Sequence, residues 1–135
     1  MRHECAPGSA QDWLSRAKGK FVLASQSLPE GGYWEDLCFM AQQSAELALK
    51  AVYQHFGWRF DFVHDLGHLL DGLENHNLDV PDYLHEAERL TIFATQMRYP
   101  GITDFVTQDT YVQLLSIAEK VIYWSDNTIN FDAMP

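Results

Sequence analysis

Leu14, Ala17, Phe21, Ala24 and Leu28 follow one another at alternating steps of three and four, which gathers apolar side chains on one face of an α-helix. Ser9, with Asp12 three residues on, predicts its start in the form of a capping box with Asp in the third place. Pro29-Glu-Gly-Gly32 breaks it. A second and longest helix is predicted from about Tyr33 to about His55, with the stripe Leu37, Ala41, Ser44, Ala48, Ala51 and His55. Phe39, Met40, Leu47, Leu49 and Val52 flank that stripe, so apolar residues cover more than half the circumference and the helix needs several neighbours. Gly57 stands where a C-cap belongs.

A third, shorter helix carries Leu66, Leu69, Leu70 and Leu73. Pro81 opens a fourth, with Tyr83, Ala87, Leu90, Ala94 and Met97 on one face, and Pro100-Gly101 closes it. Thr107 is a natural N-cap for a fifth, striped by Tyr111, Leu114, Leu115, Ala118 and Ile122. No stretch alternates with period two. The pattern therefore predicts an all-α protein, an up-and-down antiparallel bundle of about five helices over residues 9–126. Residues 127–135 are expected to form a frayed C-terminal tail.

Composition narrows the class. At 135 residues and 47% hydrophobic the chain fits one globular domain. No apolar run approaches the ~18–20 residues that span a bilayer, and no secretory signal follows Met1, so a cytoplasmic protein with no membrane contact is expected. Cys5 and Cys38 have neither the spacing nor the context of a disulfide or metal site. A net charge of -10 argues against bulk DNA binding, which needs neutralised phosphates, but leaves room for one small basic site.

Four constellations carry potential chemistry. Arg98-Tyr99-Pro100 ends the fourth helix, where an arginine either caps the last carbonyls or grips a phosphate beside the Tyr99 ring. His64-Asp-Leu-Gly-His68 places two histidines four apart, but Asp65 replaces the Glu of the zinc pattern and no third ligand follows, so no metal is expected. His64 is read instead as a ring at the helix start and His68 as solvated. Arg59 and His64, with four residues between them, are a cation and a base suited to RNA cleavage, although they span a loop. On the long helix, Gln42, Gln43, Glu46 and Lys50 form a polar strip. Exposed, its Glu46–Lys50 pair is a surface ion pair; buried, the strip is a hydrogen-bond network or a dimer face.

In order along the chain, several strings resemble the HEPN family, named for higher eukaryotes and prokaryotes. They are Asp12-Trp-Leu-Ser-Arg-Ala17; Phe39-Met-Ala-Gln-Gln-Ser-Ala-Glu-Leu-Ala-Leu-Lys-Ala51, the most specific; His64-Asp-Leu-Gly-His-Leu-Leu70; Met97-Arg-Tyr-Pro100; and Ala118-Glu-Lys-Val-Ile-Tyr-Trp124. The resemblance implies an up-and-down helical bundle that commonly forms a homodimer. It also implies one of several activities: metal-independent RNA cleavage through an arginine and a histidine a few residues apart, nucleotide binding, or pairing with a small nucleotidyltransferase in a toxin–antitoxin-like system.

By that resemblance Arg98 stands for the motif arginine, yet Tyr99 through Thr107 contain no histidine, and the Arg59/His64 pair lies before the third helix, where the family does not place its motif. The expectation is thus a noncatalytic HEPN module without cofactor. It binds a nucleotide or RNA end through Arg98, Tyr99 and His64, or pairs with a minimal nucleotidyltransferase. The alternative is a ribonuclease with His64 as its base beside Arg98. A purely structural adaptor is the third reading.

Overall fold

The computed structural model describes residues 5–95, 100 and 106–131. Among them stand four α-helices, α1 (Ala10–Ala24), α2 (Trp34–Phe56), α3 (Leu66–Asn75) and α4 (Gln108–Phe131), with a 3₁₀ segment, Asp82–Ala94, between the last two. No strand occurs among the described residues.

Capping follows the sequence. The Ser9 hydroxyl accepts the Asp12 amide at 3.2 Å, and the Asp12 carboxylate accepts the Gly8 amide at 2.8 Å, a reciprocal arrangement displaced by one residue from the usual box. Gly57 closes α2 in the left-handed conformation, φ 72°, which costs a residue without Cβ little. Thr107 caps α4 through its hydroxyl, 3.2 Å from the Thr110 amide.

α2 touches every other helical element, as its wide apolar girth requires. α1 runs antiparallel to α4: Lys18 pairs with Asp126, and the Tyr111 hydroxyl at the start of α4 donates to the Ala24 carbonyl at the end of α1. Trp34 lies against Tyr111 at 4.7 Å, so α2 and α4 start at the same end of the bundle. The core collects Leu14, Leu49, Val52, Leu69, Leu70, Leu90, Leu114 and Val121, each at most 2% exposed.

Two expectations need correction. The final helix does not stop near Trp124: it runs to Phe131, because Ile129 is buried at 4% and Asn130 and Asp126 hold Gln11 and Lys18 of α1. Residues 127–131 therefore belong to the bundle, and residues 132–135 lie outside the described part. The fourth element is a 3₁₀ helix whose buried face is Leu84, Ala87, Leu90 and Phe93. Tyr83, assigned inward by a 3.6-residue period, is 50% exposed. The winding at three residues per turn brings Leu84 and Phe93 onto the buried face with Ala87 and Leu90, in place of Tyr83 and Ala94. Met97 lies outside the described residues.

Candidate functional site

Gln42, Glu46 and Lys50 are spaced four apart, so they stack on one face of α2. All three are buried, at 0%, 5% and 6% exposure, which replaces the solvated ion pair with an internal network. The reason is the position of α2, whose neighbours cover that face. Gln42 Nε2 donates to Glu46 Oε1 at 3.0 Å and to the His64 carbonyl at 3.2 Å. Gln43 Nε2 donates to Gln42 Oε1 at 2.9 Å, and Lys50 Nζ donates to Glu46 Oε2 at 2.9 Å.

The network holds the loop that follows. After Gly57 the chain doubles back along α2, so that Phe60 lies 5.4 Å from Lys50 Nζ, over its ring, and His64 reaches the level of Glu46. Phe60 meets Trp13 and Tyr53 edge-on at 5.6 and 5.7 Å. His64 Nδ1 stands 2.8 Å from Glu46 Oε1, with the carboxylate side chain 6% exposed and the imidazole 58% exposed. Burial alone would raise the Glu46 pKa, but hydrogen bonds from Lys50, Gln42 and His64, with the Lys50 charge, hold it below the ordinary carboxylate value. An ionised carboxylate only accepts, so Nδ1 carries the hydrogen and Nε2 is the nitrogen left for other partners.

The other histidine of the motif takes a different partner. His68 Nε2 lies 2.9 Å from Asp61, and the Asp65 carboxylate caps α3 through the His68 amide at 3.1 Å. His64 and His68 thus serve separate carboxylates, and Asp65, not His64, is the cap. Arg59 is exposed and makes no ion pair among the described residues. Arg98 and Tyr99 lie outside the described residues.

Phe60 and Tyr53, which steady the loop, carried no sequence signal beyond their aromatic character. The i,i+4 spacing of Gln42, Glu46 and Lys50 was the signal for the network, and only the burial of its face was hidden.

The decisive comparison is with the HEPN domain, whose family model matches residues 10–128. The chain belongs to the HEPN family. The crystal structure of an archaeal HEPN homologue superposes with a TM-score of 0.73 at 26% identity, covering 90% of this chain and 98% of that one. No curated protein matches. No helix of this HEPN chain, among the described residues, is long and apolar enough to cross a membrane.

One further group could hold a cation. Asp71 and Glu74 of α3 and His85 of the 3₁₀ segment place donor atoms within 4.8 Å of one another. His85 Nε2 already bonds Glu74 at 3.0 Å on the surface. Cys38, by contrast, is fully buried, and burial with the nearby Glu35 charge pushes its thiol up to about 12, which leaves it inert.

Proposed function

We propose that this HEPN protein is a noncatalytic binding module for a nucleotide or an RNA end, which uses His64 together with Arg98 and Tyr99. The contact that carries this reading is His64 Nδ1 on Glu46 Oε1, 2.8 Å, with the imidazole 58% exposed. The buried carboxylate behind the ring fixes its orientation and leaves Nε2 for a ligand, the nitrogen through which a histidine donates to a phosphate oxygen. The noncatalytic part rests on sequence: no histidine occurs from Tyr99 through Thr107, after Arg98.

The test is calorimetric titration with AMP and with a 5′-phosphorylated trinucleotide. His64→Ala is expected to weaken either by about 10- to 100-fold, the worth of one hydrogen bond to a charged group, with the helical fold retained by circular dichroism. Arg98→Ala should weaken both by a similar factor. Absence of binding by the unmutated protein would remove the reading and leave the structural adaptor.

The same dyad favours a second reading. A carboxylate-oriented imidazole with an open Nε2 is what a general base requires, so a metal-independent ribonuclease with His64 as base and Arg98 as electrostatic partner is the rival. RNA cleavage in EDTA, abolished by both His64→Ala and Arg98→Ala, would establish it. Binding without cleavage supports the module.

Assembly belongs to the same proposal. Val22, Leu23 and Tyr33, 70%, 46% and 58% exposed, put apolar surface on α1 and before α2, which suits a homodimer. Light scattering on the purified chain decides between monomer and dimer. Pairing with a minimal nucleotidyltransferase, in a toxin–antitoxin-like system, is tested by co-purification with such a protein encoded beside it.

A further inference from the structure

Phe62 is 95% exposed, more than any other exposed large apolar side chain among the described residues. It does not sit on a slack loop. The Val63 amide donates to the Asp61 carbonyl at 2.9 Å, closing a three-residue turn with Phe62 at its apex. On one side of the turn Phe60 is packed beneath Lys50, Tyr53 and Trp13. On the other, His64 is held twice, by Glu46 at its ring and by Gln42 at its carbonyl. The buried network of α2 thus fixes both feet of a turn whose tip is an exposed aromatic ring, braced edge-on by Phe60 at 6.3 Å.

The charges around that ring are sorted. Asp61 bonds His68 and Asp65 caps α3, so both acids of the loop are engaged. Arg59, three residues before Phe62, and His64, two after it, are exposed and flank it along the chain with groups that can donate to a phosphate. No other exposed large apolar residue belongs to this loop or to α3 among the described residues; the Phe62 ring meets only the Phe60 ring, edge-on at 6.3 Å, which leaves its face open. A protein-binding hot spot sits within an apolar patch; an exposed ring face with an arginine and a histidine close by in the chain suits a flat heterocycle with a phosphate attached.

We propose that Phe62 is a stacking platform for the base of a nucleotide or single-stranded RNA end, with Arg59 and His64 meeting its phosphate. This rests on the reading of His64 given above and adds to it what the ligand must carry: an unpaired base. Phe62 is a positioning residue for that base and takes part in no bond-making step.

The experiment uses the full chain and two probes, AMP and ribose 5-phosphate, titrated by calorimetry. The unmutated protein is expected to bind AMP about 5- to 100-fold more tightly than ribose 5-phosphate, the usual worth of one stacked base. Phe62→Ala should erase that ratio and leave ribose 5-phosphate affinity and melting temperature unchanged, since the ring is exposed. Phe62→Trp should restore the ratio, and its indole fluorescence should be quenched by AMP and not by ribose 5-phosphate. His64→Ala should weaken both probes together.

If Phe62→Ala leaves the ratio unchanged, stacking is overturned while the His64 reading stands. If Phe62→Ala instead breaks self-association with the ratio intact, the ring serves a protein interface and the proposal is again overturned. If neither probe nor a 5′-phosphorylated adenine trinucleotide binds the unmutated protein, both readings fall together. A trinucleotide that binds more tightly than AMP, with the same Phe62 dependence, supports the proposal and assigns an RNA end.

Discussion

His64 rests its imidazole on a carboxylate that α2 has taken out of solvent: the Nδ1 to Glu46 Oε1 distance is 2.8 Å, and Lys50 neutralises the other oxygen of Glu46 at 2.9 Å. One carboxylate thereby serves two tasks, compensating a buried lysine and orienting an exposed histidine.

The buried pair should respond unevenly to single and double changes. Glu46→Gln leaves Lys50 buried without a counter-charge and is expected to lower unfolding free energy by about 3 kcal/mol, and Lys50→Met by a similar amount. The double variant Glu46→Gln/Lys50→Met should lose much less than the sum, because neither charge then remains unpaired. Urea denaturation of the four proteins measures the coupling directly. Strictly additive losses would show that the pair does not act as a unit.

Stability should fall on the acid side for the same reason. The Glu46 pKa in the folded protein lies below its ordinary value, so its contribution is complete above the unfolded pKa of about 4.3 and is lost as pH falls through the folded value. Asp126 is also lowered: burial acts to raise it, and Lys18 and Asn130 more than offset that. With its side chain 32% exposed, however, its share is reduced by solvent screening. Melting temperatures recorded through the acid range should drop below about pH 4.3, and the drop should be shallower in Glu46→Gln.

Much of this was legible in the amino-acid order. The caps Ser9, Gly57 and Thr107 announced where α1 begins, α2 ends and α4 begins, because caps act within a few residues of chain; α1 itself ends at Ala24, one turn before the Leu28 that its stripe had included. The fourth segment was ambiguous, since Ala87 and Leu90 fit both a period of 3.6 and a period of three; Leu84 and Phe93, far apart in sequence from what covers them, decided it. For the site, spacing put Gln42, Glu46 and Lys50 on one face. Their burial and the return of His64 to Glu46 depend on where a loop of no regular structure travels, which local pattern does not encode.

Gly72 tests how tightly α3 sits on α2. The Tyr53 hydroxyl donates to the Leu69 carbonyl at 2.6 Å, and a Cβ added at Gly72 would collide with the Tyr53 hydroxyl oxygen. Gly72→Ala is expected to destabilise by about 1–3 kcal/mol despite alanine's better helix propensity. Tyr53→Phe removes the clashing atom, so Gly72→Ala should cost clearly less in that background. Thermal unfolding of the pair and of both single variants gives the answer.

The end of α4 can be tested with one side chain. Ile129, 4% exposed, lies past the point where the apolar stripe had suggested the bundle ends. Ile129→Ala should cost about 2–4 kcal/mol, and removing residues 126–135 should cost more, because Asp126 and Asn130 leave Lys18 and Gln11 without their partners. Midpoints of urea unfolding read both. A tail that merely frayed would leave the midpoint unmoved.

The 3₁₀ segment sets a length as well as a face. Its 13 residues rise by about 2.0 Å each and so span about 26 Å, where an α-helix of the same residues would span about 20 Å. Leu84 and Phe93 are nine residues apart, three whole turns at the observed winding but half a turn out of line at 3.6 residues per turn. Rewinding the segment would therefore shorten it by about one helical turn and swing one of its two large anchors into water. The spacing of four apolar residues acts as a gauge: it meters how far the chain reaches across the bundle between Leu84 and Phe93.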